Sequence, residues 1–166
     1  MLLGSHGAAL ARQARRAWLQ VLLDEHSQSS SSNALALDPR LSIRKFSIVI
    51  PSLNQAQFLG AALRSIVNQR YPAVEIIVVD GGSEDETARV VESYKPHVDV
   101  YISESDRGQS HALNKGFAVA TGDIMGWLNA DDVYCPGAFW VARTTISVTS
   151  PTVVFGDYFE IVRTAR

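Results

Sequence analysis

Cysteine is nearly absent from this sequence, in which Cys135 is the only one among 166 residues. A single thiol cannot form an internal disulfide or supply a cysteine-based zinc cluster. The sequence also lacks an Asn-x-Ser/Thr glycosylation site, so nothing in it argues for secretion. We therefore expect a cytoplasmic location.

Excess charge and long apolar runs are lacking as well. The formal net charge is −2, whereas nucleic-acid binders usually have a clustered basic surface, so we expect no nucleic-acid partner. No apolar run approaches the roughly 18–20 residues that a membrane-spanning helix needs, and we expect no transmembrane span. The hydrophobic fraction of 46% and the charged fraction of 19% are typical of a soluble globular domain.

Two glycine-rich phosphate motifs are also missing. The sequence contains neither Gly-x-Gly-x-x-Gly nor Gly-x-x-x-x-Gly-Lys-Ser/Thr. Their absence disfavours a dehydrogenase and a P-loop enzyme.

Residues 1–26 are basic and amphipathic, with no acid before Asp24. Their apolar residues recur at helical spacing: Leu10, Ala14, Ala17, Trp18, Val21 and Leu22. Such a helix can make peripheral contact with a membrane, and an Arg-rich N-terminus can be a transit peptide. A packing helix, or upstream sequence without relevance to the fold, is the favoured alternative. The Ser-rich residues 27–44 are interpreted as a linker, so one domain is predicted over 45–166.

Short apolar runs alternate with helical patterns from Lys45 onward, which is the arrangement expected of parallel βαβ units. The predicted strands are residues 46–50, 74–79, 98–102, 124–128 and 153–155. The sequence therefore predicts an α/β fold with a mostly parallel sheet flanked by helices.

Several boundary signals accompany these elements. Pro51 is expected to stop the first strand, and Ser83 with Glu86 is expected to form a capping box. Thr121-Gly122 is expected to close a helix whose buried stripe is Leu113, Phe117 and Ala120. Pro136 is expected in the first turn of the next helix.

Polar residues follow three of the predicted strands, namely Ser52 with Asn54, Asp80, and the run from Asn129 to Asp132. Ligands of parallel sheets bind outside the carboxyl ends of the strands, where these residues meet. Asp80 could accept from a nucleobase N–H or a ribose hydroxyl. Alternatively, Asp80 has a structural role, as a turn aspartate or a helix cap.

The segment before the helix at Leu113 is a candidate anion site, because Gly108 permits close backbone approach at a helix N-terminus. Lys115 could reach a phosphate, although a solvated lysine is the favoured interpretation. His111 has no second histidine or cysteine at ligand spacing, which excludes a zinc site.

Asn129-Ala130-Asp131-Asp132 provides only oxygen ligands at a strand end. Such a set suits Mg²⁺ or Mn²⁺ that holds a diphosphate. The alternative is an aspartate pair that caps the helix opened by Pro136.

In order and spacing, these stretches resemble the family 2 glycosyltransferases with the GT-A fold, over roughly residues 45 to 160. The matching stretches include Ser47–Asn54, Glu75–Ser83, Ser103–Gly108, Ala112–Gly116 and Leu128–Asp132. The resemblance implies a nucleotide-diphospho-sugar donor, such as a UDP-, GDP- or dTDP-sugar, and inverting transfer to a saccharide or lipid-linked acceptor, as in polysaccharide biosynthesis. It also implies a divalent metal, Mn²⁺ or Mg²⁺.

The family pattern assigns roles to individual positions. It places Pro51, Ser52 and Asn54 in the nucleoside pocket and Asp80 at the base. Asn114 and Lys115 fall near the donor's ribose and diphosphate, next to the candidate anion site at Gly108. The Asp-x-Asp motif of the family corresponds to Asn129, Ala130 and Asp131, with Asp131 and Asp132 as the metal ligands.

The sequence departs from the family in two ways. Asn129 replaces the first acid of the motif, which removes one negative charge. The family's general base lies beyond the metal motif, in the acceptor-binding half, whereas this chain ends at Arg166. We therefore expect that half to be missing, leave the catalytic base unassigned, and assign neither Asp157 nor Glu160.

Two other interpretations stay open. The chain could be a truncated or degenerate module that binds the donor without transferring it. A nucleotidyltransferase is disfavoured, because the turn Pro51–Asn54 is neither glycine-rich nor basic.

Overall fold

A computed structural model describes residues 43–146, 150–154 and 156. Four parallel strands form one sheet in the order β3-β2-β1-β4. The strands are β1 (Phe46–Ser52), β2 (Val74–Asp80), β3 (Val100–Ser103) and β4 (Ile124–Trp127). The helices are α1 (Ala56–Val67), α2 (Thr87–Ser93), α3 (Gln109–Val119) and α4 (Ala138–Thr145). This alternation confirms the α/β prediction.

The sheet is buried on both faces of β1 and β2. On one face, alternate β1 residues such as Ile48 and Ile50 pack with Leu59 and Leu63 of α1. On the other, Val49 packs with Ile77 of β2 and with Ala112 of α3. Because successive strand residues point to opposite faces, a continuous apolar run is what a doubly covered strand requires.

Pro51 lies within β1 and does not end it, which corrects the predicted boundary. The carbonyl of Val49 accepts from Leu128 N–H towards β4, whereas the carbonyl of Ser52 accepts from Gly81 N–H towards β2. The backbone of Pro51 faces the β4 side of the strand, as that of Val49 does. The pairing of β1 with β4 ends at Val49 and Trp127. The missing N–H of proline therefore faces no ladder partner.

The predicted capping box is wrong. Helix α2 begins at Thr87, and the Ser83 hydroxyl instead donates to Asp80 Oδ1 at 2.5 Å. Asp85 instead binds the first residue of α2, because its Oδ1 accepts from both the backbone N–H and the hydroxyl of Thr87. Its Oδ2 accepts from Ala56 N–H at the start of α1.

Gly122 is required for close packing and has no left-handed backbone angle, contrary to the expected helix-closing role. A Cβ there would lie 2.6 Å from Ser47 Oγ and 2.7 Å from Lys45 O. The buried stripe of α3 is also shifted by one residue. Ala112 and Gly116 are its buried members, while Leu113, Phe117 and Ala120 pack partly buried beside them.

Two expectations near the C-terminus change as well. Helix α4 begins at Ala138 after Gly137, whose φ of 85° is left-handed, so Pro136 precedes the helix. Residues 153 and 154 are not in a strand, and Phe155, Asp157 and Glu160 lie outside the described residues. The predicted N-terminal helix and most of the linker lie outside them too, so the predicted domain boundaries stay predictions.

Candidate functional site

The carboxyl edge of the sheet brings the loops after β1 and β2 into direct contact. Asn54, with a φ of 53°, donates its backbone N–H to Ser83 Oγ at 2.8 Å. The Asn54 side-chain oxygen accepts from Glu84 N–H at 2.9 Å. Asparagine tolerates this left-handed backbone conformation better than most residues. Asn54 thus joins the two loops through both its backbone and its side chain.

Asp80 is buried at the end of β2 with 2% exposure, and four hydrogen bonds reach its carboxylate. Oδ1 accepts from the backbone N–H and the hydroxyl of Ser83, and Oδ2 accepts from the hydroxyls of Tyr101 and Ser103. Burial by itself raises the pKa of Asp80, but these hydrogen bonds outweigh it and hold the pKa below its usual value. The carboxylate is therefore ionised and fixed between β3 and the β2–α2 turn.

Ser52 lies beside Asp80 in the register of β1 and β2. Its side chain is buried with 5% exposure, and its hydroxyl oxygen lacks a hydrogen-bond partner among the described residues. Pro51 is buried next to it. The structure thus places Pro51, Ser52, Asn54 and Asp80 together, as the sequence predicts.

The β2–α2 turn also touches the loop between β3 and α3. A Cβ on Gly81 would lie 2.8 Å from Asp106 Oδ2, and one on Gly82 would lie 3.6 Å from Ser105 N. The other oxygen of Asp106 accepts from Gly108 N–H at 2.7 Å. Gly108 precedes α3 with a φ of 104°, which favours glycine. Close approach of the two loops explains glycine at position 81, whereas the positive φ values of Gly82 and Gly108 explain glycine there.

Lys115 is not a solvated lysine, contrary to the favoured interpretation. Its side chain is 16% exposed, and Nζ lies 2.9 Å from Glu104 Oε1. The same ammonium donates to the carbonyl of Ser105 at 3.1 Å. Lys115 thus fastens α3 to the preceding loop. Asn114, its neighbour on α3, is exposed.

The acidic turn after β4 is attached to α3. Gln109 Nε2 donates to Asn129 Oδ1 at 2.6 Å, and Asn129 Nδ2 donates to Asp132 Oδ2 at 3.0 Å. Ala130 is buried with 3% exposure, whereas Asp131 and Asp132 are exposed. No side chain caps α4, so the aspartate pair is not a cap of that helix.

Sequence reasoning missed four members of this network: Ser83, Tyr101, Ser103 and Gln109. Ser103 ends β3 at the same edge as Asp80, so the strand-end rule could have found it. No sequence pattern indicated Gln109, because its hydrogen-bond partner Asn129 is twenty residues away in the chain.

Comparison with known proteins decides the family. The model of glycosyl transferase family 2 matches residues 47–161. The chain belongs to this family. An uncharacterized glycosyltransferase of Nostoc sp. is 37% identical over 95 residues, which are 55% of this chain and 30% of the relative. The chain thus spans about a third of the length of the curated relatives that it matches.

Solved structures of glycosyltransferases share the fold of this family 2 chain. TarS 1-349 of S. aureus in complex with UDP-GlcNAc is 25% identical with a TM-score of 0.55, covering 59% of this chain and 30% of TarS. Glucosyl-3-phosphoglycerate synthase from Mycobacterium tuberculosis, in complex with Mn²⁺, UDP and glucosyl-3-phosphoglycerate, is 25% identical with a TM-score of 0.50, covering 59% of this chain and 37% of that one. The expected GT-A fold is thereby confirmed.

Among residues 43–146, 150–154 and 156, no helix is long and apolar enough to cross a membrane.

Proposed function

We propose that this chain forms the donor-binding part of an inverting glycosyltransferase, which transfers a sugar from a nucleotide-diphospho-sugar to an acceptor hydroxyl. The observation that supports this proposal is the continuous set of contacts along the carboxyl edge of the sheet. Asn54, Ser83 and Asp80 form one group, and Gln109, Asn129 and Asp132 form another. The loops that contain Gly81 and Asp106 connect the two groups.

In this proposal the nucleoside binds beside Pro51, Ser52, Asn54 and Asp80. The unpartnered hydroxyl of Ser52 supports a polar ligand there, because buried hydroxyls normally have a hydrogen-bond partner. The diphosphate lies nearer Gly108, Asn114 and Lys115. To reach it, Lys115 would exchange its contact with Glu104 for a phosphate oxygen.

The acidic turn fits a divalent metal of the Mg²⁺ or Mn²⁺ type. Asp131 and Asp132 are both exposed and offer carboxylate oxygens, the ligands that these ions prefer. Within the part of the chain that the structure describes, no three His, Cys, Asp or Glu side chains are grouped to hold a metal. Two carboxylates with donor phosphates and water are the usual arrangement for such ions. When bound, the metal would supply Lewis-acid stabilisation of the departing diphosphate.

Relatives support the nucleotide class. The TarS structure contains UDP-GlcNAc, and the mycobacterial synthase contains UDP and Mn²⁺. We propose the acceptor by chemical class only, as a saccharide or a lipid-linked molecule.

Isothermal titration of the 166-residue chain with UDP, GDP and dTDP, each with Mn²⁺, tests donor binding. We expect one nucleotide to bind, with affinity reduced at least about tenfold by EDTA or by Asp131→Ala, because a metal ligand is lost. Glu92→Ala, on the exposed surface of α2, is the control and should bind like the wild type. Absence of binding by all three nucleotides, with Asp131→Ala and wild type indistinguishable, would refute the proposal.

A non-catalytic donor-binding module is the second candidate, favoured by Asn129. It replaces the first acid of the family motif, and both polar groups of its amide are already in hydrogen bonds. Donor hydrolysis or transfer by the purified chain separates the candidates. Turnover that Asp132→Asn abolishes would exclude the inactive module.

A further inference from the structure

Three side chains form a hydrogen-bonded series from α3 to the acidic turn. Gln109 Nε2 donates to Asn129 Oδ1 at 2.6 Å, and Asn129 Nδ2 donates to Asp132 Oδ2 at 3.0 Å. An ionised carboxylate can only accept hydrogen bonds, so Asp132 requires the nitrogen of Asn129. Asn129 then has its oxygen towards Gln109, which must present its own nitrogen. The carboxylate thus sets the direction of the whole series.

The backbone around this series is held independently. Leu128 N–H donates to Val49 O at 3.0 Å, which continues the β4 pairing with the central strand. Asp132 N–H donates to Asn129 O at 3.0 Å and closes the turn, while Ala130 is buried. Gln109 occupies the first position of α3. The side-chain series therefore joins two anchored segments and is not needed to form either.

We propose that Gln109 is a positioning residue for the acidic turn, which it orients through the amide of Asn129. Gln109 holds the Asn129 oxygen by a hydrogen bond, which keeps the Asn129 nitrogen against Asp132. The other oxygen of Asp132 is then left for a ligand, beside the exposed residue Asp131. The link to a metal rests on the proposed function, whereas the orientation of the amide does not.

The orientation is tested without any ligand, by NMR of the Asn129 side-chain amide in the full chain. The response measured is the change in its NH₂ resonances, at one fixed pH, when Asp132 is replaced by Ala, because Asp132 Oδ2 accepts from Asn129 Nδ2. Gln109→Ala should reduce the response by at least half while the melting temperature changes little. Gln57→Ala, at an exposed position in the first turn of α1, is the matched control and should leave it intact.

Gln109→Glu provides a sharper variant, because the side chain keeps its shape but loses its donor. The introduced carboxylate can only accept, so the Asn129 amide must turn its nitrogen towards position 109 and its oxygen towards Asp132. The response at Asn129 to replacement of Asp132 should then be lost, because the NH₂ group faces position 109 instead of Asp132. A response as large as that of the wild type in both Gln109 variants would overturn the proposal.

The second readout is Mn²⁺ affinity in the presence of UDP, measured by electron paramagnetic resonance. Residues that orient metal ligands typically change affinity by roughly 10–100-fold. Gln109→Ala should weaken Mn²⁺ binding about tenfold, and Asn129→Ala should add little to it, because both remove the same series. Full additivity of the two substitutions, or no effect of Gln109→Ala, would contradict the proposal. If the NMR response is as expected but wild-type chain binds neither UDP nor Mn²⁺, the proposed function fails and the positioning role stands.

Discussion

Glu75 is a buried carboxylate at the opposite, amino edge of the sheet, where it joins three segments. Its side chain is 7% exposed and lies 2.8 Å from Lys45 Nζ. It also accepts from the Ser47 hydroxyl and from the backbone N–H and hydroxyl of Thr121. Glu75 thus ties β1, β2 and the segment before β4 together through one charged group.

The pKa of Glu75 makes this group a source of pH-dependent stability. Burial by itself raises the pKa, but the hydrogen bonds from Lys45, Ser47 and Thr121 outweigh it and lower the pKa from 4.5 to about 2. Since the folded-state pKa lies below the unfolded value, the stabilisation is complete above about pH 4.5. It is lost as the pH falls towards 2.

Glu75→Gln should therefore lower the free energy of unfolding by about 2–3 kcal/mol at pH 7. The difference from wild type should shrink as the pH falls from 4.5 towards 2, as measured by urea denaturation. Glu92→Gln removes a carboxylate that pairs with Lys95 on the exposed surface of α2. This control should change stability by less than about 0.5 kcal/mol. The same pH dependence in both variants would contradict the role of Glu75.

Two helical glycines differ in the space around them. A Cβ on Gly116 of α3 would lie 2.4 Å from Val49 Cγ1, whereas one on Gly60 of α1 would lie 3.8 Å from Val90. Gly116→Ala should destabilise the fold by about 1–3 kcal/mol because the sheet cannot yield. Gly60→Ala should stabilise it by about 0.5–1 kcal/mol through helix propensity. Melting temperatures that move in the same direction would contradict this difference.

For individual residues, the sequence predicts which side chains reach the carboxyl edge of the sheet but not which hydrogen-bond partners they have. Ser52, Asn54, Asp80 and Asn129 follow apolar runs, and strand direction alone brings them together. Glu75 lies in β2 and its partner Lys45 directly precedes β1, 30 residues away in the chain. Such pairs depend on the register of the sheet, which no local pattern reveals.

Helix α1 holds the segment that follows the acidic turn. Ser65 Oγ donates to Ala62 O and accepts from Tyr134 N–H at 3.0 Å. Gln69 Nε2 donates to Ser65 O and to Cys135 O, at 3.1 and 3.0 Å. The end of α1 therefore limits how far the backbone after Asp132 can move.

Ser65→Ala should leave Tyr134 N–H without its acceptor, at a cost of about 1–2 kcal/mol. We expect faster hydrogen exchange at that amide and weaker nucleotide binding. Ser93→Ala is the matched control, because Ser93 makes the same kind of bond to Val90 O but, among the residues that the structure describes, accepts none from another segment. Unchanged exchange at Tyr134 would show that α1 does not hold this segment.

Element types follow from the sequence more reliably than element ends. Leu59, Leu63 and Ile66 of α1 recur at the spacing of one helix face and are buried. Pro51 and Ser83 led to wrong predicted boundaries. Pro51 fits within β1 because that side of the strand is unpaired there. Ser83 does not cap α2 because its hydroxyl donates to the carboxylate of Asp80. Tertiary partners decide these ends.

Helices cover the strands of the sheet unevenly. Met125 and Trp127 pair in register with Ser47 and Val49 and therefore share their face. Helix α3 covers that face over β1 and β2, whereas Met125 and Trp127 on the edge strand β4 are 56% and 52% exposed. Apolar side chains on an edge strand favour association with another chain.

The purified 166-residue chain should accordingly self-associate as its concentration rises, which light scattering and sedimentation velocity can measure. Met125→Lys should shift the population towards monomer, because an edge lysine opposes strand-to-strand contact. Val141→Lys adds the same charge at a similarly exposed position, with 51% exposure, on α4 instead of β4. It should leave association unchanged if the edge is responsible. A monodisperse wild-type monomer at every concentration would contradict this prediction, and equal effects of the two lysines would assign association to net charge rather than to β4.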